Sequence, residues 1–68
     1  MKIQKSDEDK RVKLFVNEYN GLNEKFGVLK YVGENGMLDV QLDQKYIINK
    51  HDDGIREVHE ENVELIED

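Results

Sequence analysis

Residues 25–42 read KFGVLKYVGENGMLDVQL, two runs of alternating apolar and polar side chains separated by a Gly-Glu-Asn-Gly turn. Asn35-Gly36 is a strong hairpin signal, because both central residues of such a tight turn adopt positive φ. We therefore predict two antiparallel strands, residues 25–32 and residues 37–42. In the second strand, one face carries the apolar side chains of Leu38, Val40 and Leu42.

The faces of residues 25–32 follow from strict alternation. Alternation groups Phe26, Val28 and Val32 with Lys30 on one face. The opposite face then carries Gly27, Leu29 and Tyr31.

The chain before this hairpin consists of three segments that differ in composition and in periodicity. Residues 11–16 alternate with apolar side chains at every second position, which predicts a first strand. Residues 17–24, NEYNGLNE, are rich in Asn and have no period, so we predict a loop. Residues 1–10 hold two apolar side chains, too few to offset an ordering entropy of about 1–2 kcal/mol per residue. We predict that they form a flexible charged leader.

The chain after the hairpin alternates short β-prone runs with turns. For Tyr46-Ile47-Ile48, three alternatives stay open: an extension of the third strand, a short edge strand, or a loop over one end of the sheet. Residues 55–58 form the predicted fourth strand, and residues 59–62 suit a single 3₁₀ turn. Residues 63–66 close the fold as a fifth strand.

Five short strands without a sustained helical period predict an all-β fold. In a chain of 68 residues this favours one small domain, residues 11–66, closed as a barrel that leaves no sheet edge exposed. The leader, residues 1–10, and an acidic tail, residues 67–68, flank this domain.

Two strings, EYNGLNEKFGVLKYVGENGMLDVQL (residues 18–42) and IREVHEENVEL (residues 55–65), resemble the small Src-homology-3-like (SH3-like) barrels of the KOW and Tudor type. The resemblance covers residues 11–66 and implies a five-stranded barrel with a single 3₁₀ turn before the last strand. It implies binding of RNA, of peptides or of modified histones, since these barrels host all three. The residues at matching positions are Tyr19, Asn20, Gly21, Gly27, Val28, Val40, Leu42, Glu61, Asn62 and Leu65.

Several residues are interpreted as structural, because turns and strand bends need positive φ, small size or side-chain-to-backbone hydrogen bonds. These are Gly21, Gly27, Asn35, Gly36 and Asn62.

The composition argues against an enzyme. The chain has no Cys and no Thr, and Ser6, its only serine, lies in the predicted leader away from any histidine. Neither His51-Asp52-Asp53 nor His59-Glu60-Glu61 has the spacing of a standard metal site, and no glycine-rich phosphate loop opens a helix. We predict no catalytic residues, no metal and no cofactor.

The formal net charge of −6 is spread unevenly along the chain. Residues 51–68 hold eight acidic residues against one basic residue, Arg56, whereas the other residues are nearly balanced. An acidic surface repels phosphate backbones and steers cationic partners towards it. We therefore predict a protein or peptide partner rich in Lys or Arg, in preference to nucleic acid, with no membrane span. We expect a monomer or a weak oligomer.

Aromatic rings beside carboxylates suit a peptide, or a cationic or methylated lysine side chain. We expect the loops after the first and second strands to lie together at one end of the barrel and to bring such rings close to each other. The candidate binding residues are Phe15, Glu18, Tyr19, Glu24, Tyr31 and Tyr46.

Two other functions stay open. A KOW-like nucleic-acid contact would use the less acidic first half of the chain, with Lys13, Lys25 and Lys30. An acidic inhibitor that mimics nucleic acid would instead block a basic protein. The lack of Cys and of an apolar stretch in residues 1–10 indicates an intracellular protein, cytoplasmic or nuclear.

Overall fold

The computed structural model describes residues 3–18 and 21–66, with Glu18 and Leu22 contributing backbone only. Within these ranges the fold is all-β, which confirms the predicted class. Its strands are β1 (Arg11–Glu18), β2 (Gly21–Val32), β3 (Met37–Leu42), β4 (Ile55–His59) and β5 (Val63–Leu65). Its 3₁₀ turns are η1 (Lys5–Asp7), η2 (Gln44–Tyr46) and η3 (Glu60–Asn62).

All five strands form one antiparallel sheet in the order β4-β3-β2-β1-β5. In a flat sheet the two edge strands, β4 and β5, would lie about 19 Å apart. The chain passes from His59 to Val63 through η3 alone, and four residues span at most about 14 Å. The sheet is therefore strongly curled. It is not closed, however, because no pairing between β4 and β5 joins the described residues.

The Asn-Gly hairpin between β2 and β3 forms as the sequence predicts. Asn35 and Gly36 have φ values of 59° and 76°, and the Met37 N–H donates a hydrogen bond to the Glu34 carbonyl across them. Both positive φ angles match the type I′ turn that suits hairpins. Leu38, Val40 and Leu42 on β3 are buried, so the predicted core face of β3 is confirmed.

A β-bulge in β2 makes the predicted assignment of its two faces wrong. Leu29 pairs with Val40 and Tyr31 pairs with Asp39, so Lys30 is an extra residue without a cross-strand partner of its own. An extra residue reverses the alternation beyond it. Leu29 and Val32 consequently both face the core, whereas Tyr31 faces outward.

The predicted loop at residues 17–24 is also wrong in part. β1 extends to Glu18 and β2 begins at Gly21, with Glu18 and Gly21 directly paired. Asn17 and Glu24 in this extension are exposed. The outer part of this hairpin therefore needs no apolar period, because backbone hydrogen bonds hold it without a core to cover.

The segment between β3 and β4 takes the third of the alternatives, a loop over one end of the sheet. It contains η2 and no strand. Tyr46 packs against the core, whereas Ile48 is 97% exposed. Arg56 on β4 holds the end of this loop through two hydrogen bonds to Asp52, of 2.7 and 3.0 Å.

Residues 3–10 pack against the sheet, which differs from the prediction of a flexible leader. Ile3 is buried in the core with 7% of its surface exposed, and its N–H lies 3.4 Å from a carboxylate oxygen of Glu60 in η3. The backbones of Asp9 and Lys10 exchange hydrogen bonds with Leu29. The composition of this segment favours disorder, but one buried side chain and these backbone hydrogen bonds hold it against the sheet. The acidic tail, residues 67–68, lies outside the described residues.

The core lies inside the curl of the sheet. Its buried side chains come from the N-terminal segment and from all strands except β4, whose Val58 packs against it in partly buried form. They are Ile3, Val12, Leu14, Leu29, Val32, Leu38, Val40, Leu42 and Val63.

Candidate functional site

The bulge at Lys30 places an aromatic ring on the outer face of the sheet, the face turned away from the core. Tyr31 is 51% exposed there. It pairs with Asp39 on β3, and Asp39 pairs with Glu57 on β4. Side chains directly opposite each other on adjacent antiparallel strands have Cβ atoms about 4.5–5.5 Å apart. One ring and two carboxylates therefore form a row across three strands. We call Tyr31, Asp39 and Glu57 the Tyr31 surface.

The two carboxylates of the Tyr31 surface are neighbours of like charge. Like charges directly opposite each other in an antiparallel pair destabilise a sheet. Across the described parts of the chain, no Lys, Arg or His side chain forms an ion pair with Asp39 or with Glu57. Among the described residues, the two carboxylates of the Tyr31 surface therefore have no ion-pair partner within the chain.

A cation of the chain itself already lies against the ring. The Lys5 Nζ is 4.1 Å from the centroid of the Tyr31 ring. This distance falls well within the limit of about 6 Å for a cation–π contact.

Phe15 and Glu24, two of the predicted binding residues, lie elsewhere on the outer face. They pair directly across β1 and β2. The Lys13 Nζ lies 5.6 Å from the Phe15 ring centroid and 3.8 Å from a Glu24 carboxylate oxygen. This second aromatic–acidic pair therefore already has a basic partner.

The structure does not bring Phe15 and Tyr31 together. Glu24, opposite Phe15, is seven residues from Tyr31 along β2, which corresponds to about 23 Å of strand. Successive hairpin turns of an antiparallel sheet lie at opposite ends of the shared strand, so the expected grouping of these rings was wrong. Tyr19 lies outside the described residues, as does the side chain of Glu18.

Tyr46 packs as a structural residue and is not part of the Tyr31 surface. Its ring packs against the core, and its hydroxyl oxygen accepts a hydrogen bond of 3.3 Å from the Phe26 N–H. Two lysines, Lys25 and Lys45, lie near the ring at 5.7 and 5.2 Å from its centroid. Tyr46 therefore joins the loop after β3 to the start of the buried part of β2.

The residues interpreted as structural have varied surroundings. Gly27 has no room for a side chain, because a Cβ there would overlap the backbone carbonyl oxygen of Gln41. Gly21 begins β2, and Asn20 lies outside the described residues. Asn62 is exposed at the end of η3, and this turn is capped by His59, whose ring nitrogen accepts from the Glu61 N–H at 3.2 Å.

A shallow open groove lies beside β5. It has a volume of about 350 Å³ and is lined by Lys13, Phe26, Glu64, Leu65 and Ile66. The Lys13 Nζ lies 3.9 Å from a Glu64 carboxylate oxygen, in addition to its contact with Glu24. The charged groups of this groove are therefore matched within the chain, unlike those of the Tyr31 surface.

Two bidentate ion pairs occupy other acidic side chains of the fold. Arg11 donates to both carboxylate oxygens of Asp43 at 2.6 and 2.9 Å, and these hydrogen bonds hold the pKa of Asp43 below its usual value. Hydrogen bonds from Arg56 and from the Gly54 N–H lower the pKa of Asp52 to about 2. The carboxylates of Asp43 and Asp52 therefore already have hydrogen-bond partners within the chain.

Sequence reasoning missed Asp39 and Glu57 as members of a site. The alternation of β3 places Asp39 outward, but only the bulge brings Tyr31 to the same face. The pairing of Asp39 with Glu57 depends on the register of β3 and β4, across a loop of twelve residues between them. No local signal in the sequence specifies that register.

Comparison with protein-family models, with curated proteins and with solved structures finds no match to this chain. Among the described residues there is no cluster of three or more His, Asp or Glu side chains suited to a metal ion. The helical turns in the same ranges are all too short to cross a bilayer.

Proposed function

We propose that this chain is a non-enzymatic binding module of the SH3-like barrel class that recognises a Lys- or Arg-rich segment of a protein partner through the Tyr31 surface. The observation that carries the proposal is the outward row of Tyr31, Asp39 and Glu57 on three adjacent strands. The ring offers a face to an ammonium or guanidinium group, and the carboxylates offer two acceptors for its hydrogen bonds.

The topology supports the class. A five-stranded antiparallel sheet is curled so that a single 3₁₀ turn joins its two edge strands. The same arrangement is expected from the resemblance to SH3-like barrels.

The charge distribution supports a partner with positive charge. β4, η3 and β5 belong to the segment of residues 51–68, which holds eight acidic residues and one basic residue. Glu57 lies in this segment. A partner with positive charge would be steered towards it, chiefly through a faster association rate.

The nucleic-acid alternative has less support. Lys13 lies within 3.9 Å of carboxylates on both sides, and Lys30 lies 3.9 Å from Asp9. A carboxylate beside a lysine repels a phosphate that approaches the same lysine, which offsets the gain from releasing the counterions of the nucleic acid. Lys13 and Lys30 therefore form a poor phosphate-binding surface.

A labelled peptide of alternating Lys and Gly, about ten residues long, tests the proposal by fluorescence anisotropy. We expect binding to weaken at roughly 0.3 M salt. In a Lys5→Gln background, where Lys5 does not compete for the ring, we expect Tyr31→Leu to weaken binding about two- to fivefold. The double variant Asp39→Asn, Glu57→Gln should flatten the salt dependence. A Glu-Gly peptide of the same length should not bind.

Phe15→Leu is the matched control, because it removes a ring from the outer face about 23 Å away along β2. In the same Lys5→Gln background it should leave the affinity unchanged. Equal weakening by Phe15→Leu and Tyr31→Leu, or equal binding of the Lys and Glu peptides, would contradict the proposal. Titration with single-stranded RNA at low salt separates the nucleic-acid alternative, since phosphate contacts give a steep salt slope.

A further inference from the structure

The segment of residues 3–10 passes directly beside the Tyr31 surface. Ile3 anchors its start in the core, and backbone hydrogen bonds of Asp9 and Lys10 with Leu29 anchor its end. Between these anchors, a Glu8 carboxylate oxygen accepts a hydrogen bond of 2.9 Å from the Val32 N–H. Val32 follows Tyr31 in β2, so the segment is held next to the exposed ring.

Within this segment, Lys5 is the side chain that reaches the ring. Its Nζ lies 4.1 Å from the Tyr31 centroid, the shortest cation–π distance among the described residues. Its only ion pair within the described ranges is with Glu8, at 3.7 Å. The Lys5 side chain remains 66% exposed, so it can leave the ring without uncovering the core.

We infer that Lys5 is an internal pseudo-ligand of the Tyr31 surface: it occupies the ring face that receives a lysine of the partner, and the partner binds by displacing it. The inference rests on the proposed function and adds two statements. The partner group at the ring is a lysine ammonium, and the free module is partly self-occupied.

The expected size of the effect follows from the strength of exposed cation–π contacts. Such contacts change an equilibrium by about two- to fivefold. A partner that must displace Lys5 therefore binds more weakly by a factor of that size than it would to an unoccupied ring, because only the unoccupied fraction is competent to bind. Occupation by Lys5 tunes affinity and does not block the site.

The test measures the affinity of the Lys-Gly peptide for wild type, for Lys5→Gln and for Lys50→Gln. Lys50 is exposed in the loop before β4 and makes no ion pair within the described residues, so Lys50→Gln matches the change in net charge. We expect Lys5→Gln to bind the peptide about two- to fivefold more tightly than Lys50→Gln.

A second measurement needs no partner. In the free protein, the ε-methylene protons of Lys5 should show an upfield ring-current shift in the NMR spectrum, and Tyr31→Leu should abolish it. In the peptide complex the shift should also decrease, because the partner lysine replaces Lys5 at the ring.

The outcomes separate the two claims. Equal affinities for Lys5→Gln and Lys50→Gln, with a loss in Tyr31→Leu, overturn the pseudo-ligand and leave the binding module standing. A ring-current shift that persists at full peptide occupancy also overturns it. If neither wild type nor Lys5→Gln binds the peptide, the proposed function and the inference both fail.

Discussion

Replacing Ile3 with alanine tests whether residues 3–10 belong to the folded unit. Ile3 is 7% exposed, and the substitution removes three buried carbon atoms. At about 0.8 kcal/mol for each buried carbon, the loss is about 2 kcal/mol, and any cavity left behind adds to it. A chain of 68 residues has a total stability of roughly 3–10 kcal/mol, so this loss is a large share of it.

Urea unfolding followed by circular dichroism measures the change directly. For a domain of this size, a loss of about 2 kcal/mol also lowers Tm by roughly 8–16 °C. Ile48→Ala is the matched control, because Ile48 is 97% exposed and the chemical change is the same. It should change the free energy of unfolding by less than about 0.5 kcal/mol. Equal effects of Ile3→Ala and Ile48→Ala would refute the burial argument.

Three further predictions concern the sheet and its charges. Gly27→Ala should cost at least about 1–3 kcal/mol, because its methyl group overlaps a backbone carbonyl of β3; an unchanged urea midpoint would contradict this. Hydrogen bonds from Arg56 lower the pKa of Asp52 from 3.8 to about 2, so ionised Asp52 stabilises the fold above about pH 4 and this contribution disappears as the pH falls through 2. Asp52→Asn should therefore make unfolding stability less dependent on pH between about 4 and 2, and an unaltered acid limb would oppose the assignment. Asp39→Asn or Glu57→Gln should raise stability by about 0.2–1 kcal/mol, and the double variant should gain no more than the better single one; full additivity in this double-mutant cycle would show that the two charges do not repel.

Elements specified by local chemistry could be predicted from the sequence. The hairpin at Asn35-Gly36 depends on the φ preferences of two adjacent residues, and the alternation of Met37–Leu42 depends on one buried face. β4 and η3 likewise follow from a short β-prone run and from the polar run after it. For each of these, the deciding signal lies within a few residues of the element.

Features that depend on distant partners could not be predicted. Docking of Ile3 needs a place in a core built from residues far along the chain. The extension of β1 and β2 through Glu18 and Gly21 relies on backbone pairing, which leaves no apolar period. The face of Tyr31 depends on the bulge, and nothing in the side chains around Lys30 distinguishes a bulged strand from a regular one.

The bulge at Lys30 also separates the length of β2 from the composition of the outer face. Deleting this single residue would remove the bulge and leave Tyr31 outward and Val32 inward, because their partners on β3, Asp39 and Leu38, follow Val40 directly. Losing the bulge while Lys30 stays would instead turn Tyr31 inward and expose Val32. In a lineage of such chains, the Tyr31 surface would therefore survive a deletion at position 30 but not a slip of register between β2 and β3 beyond Leu29.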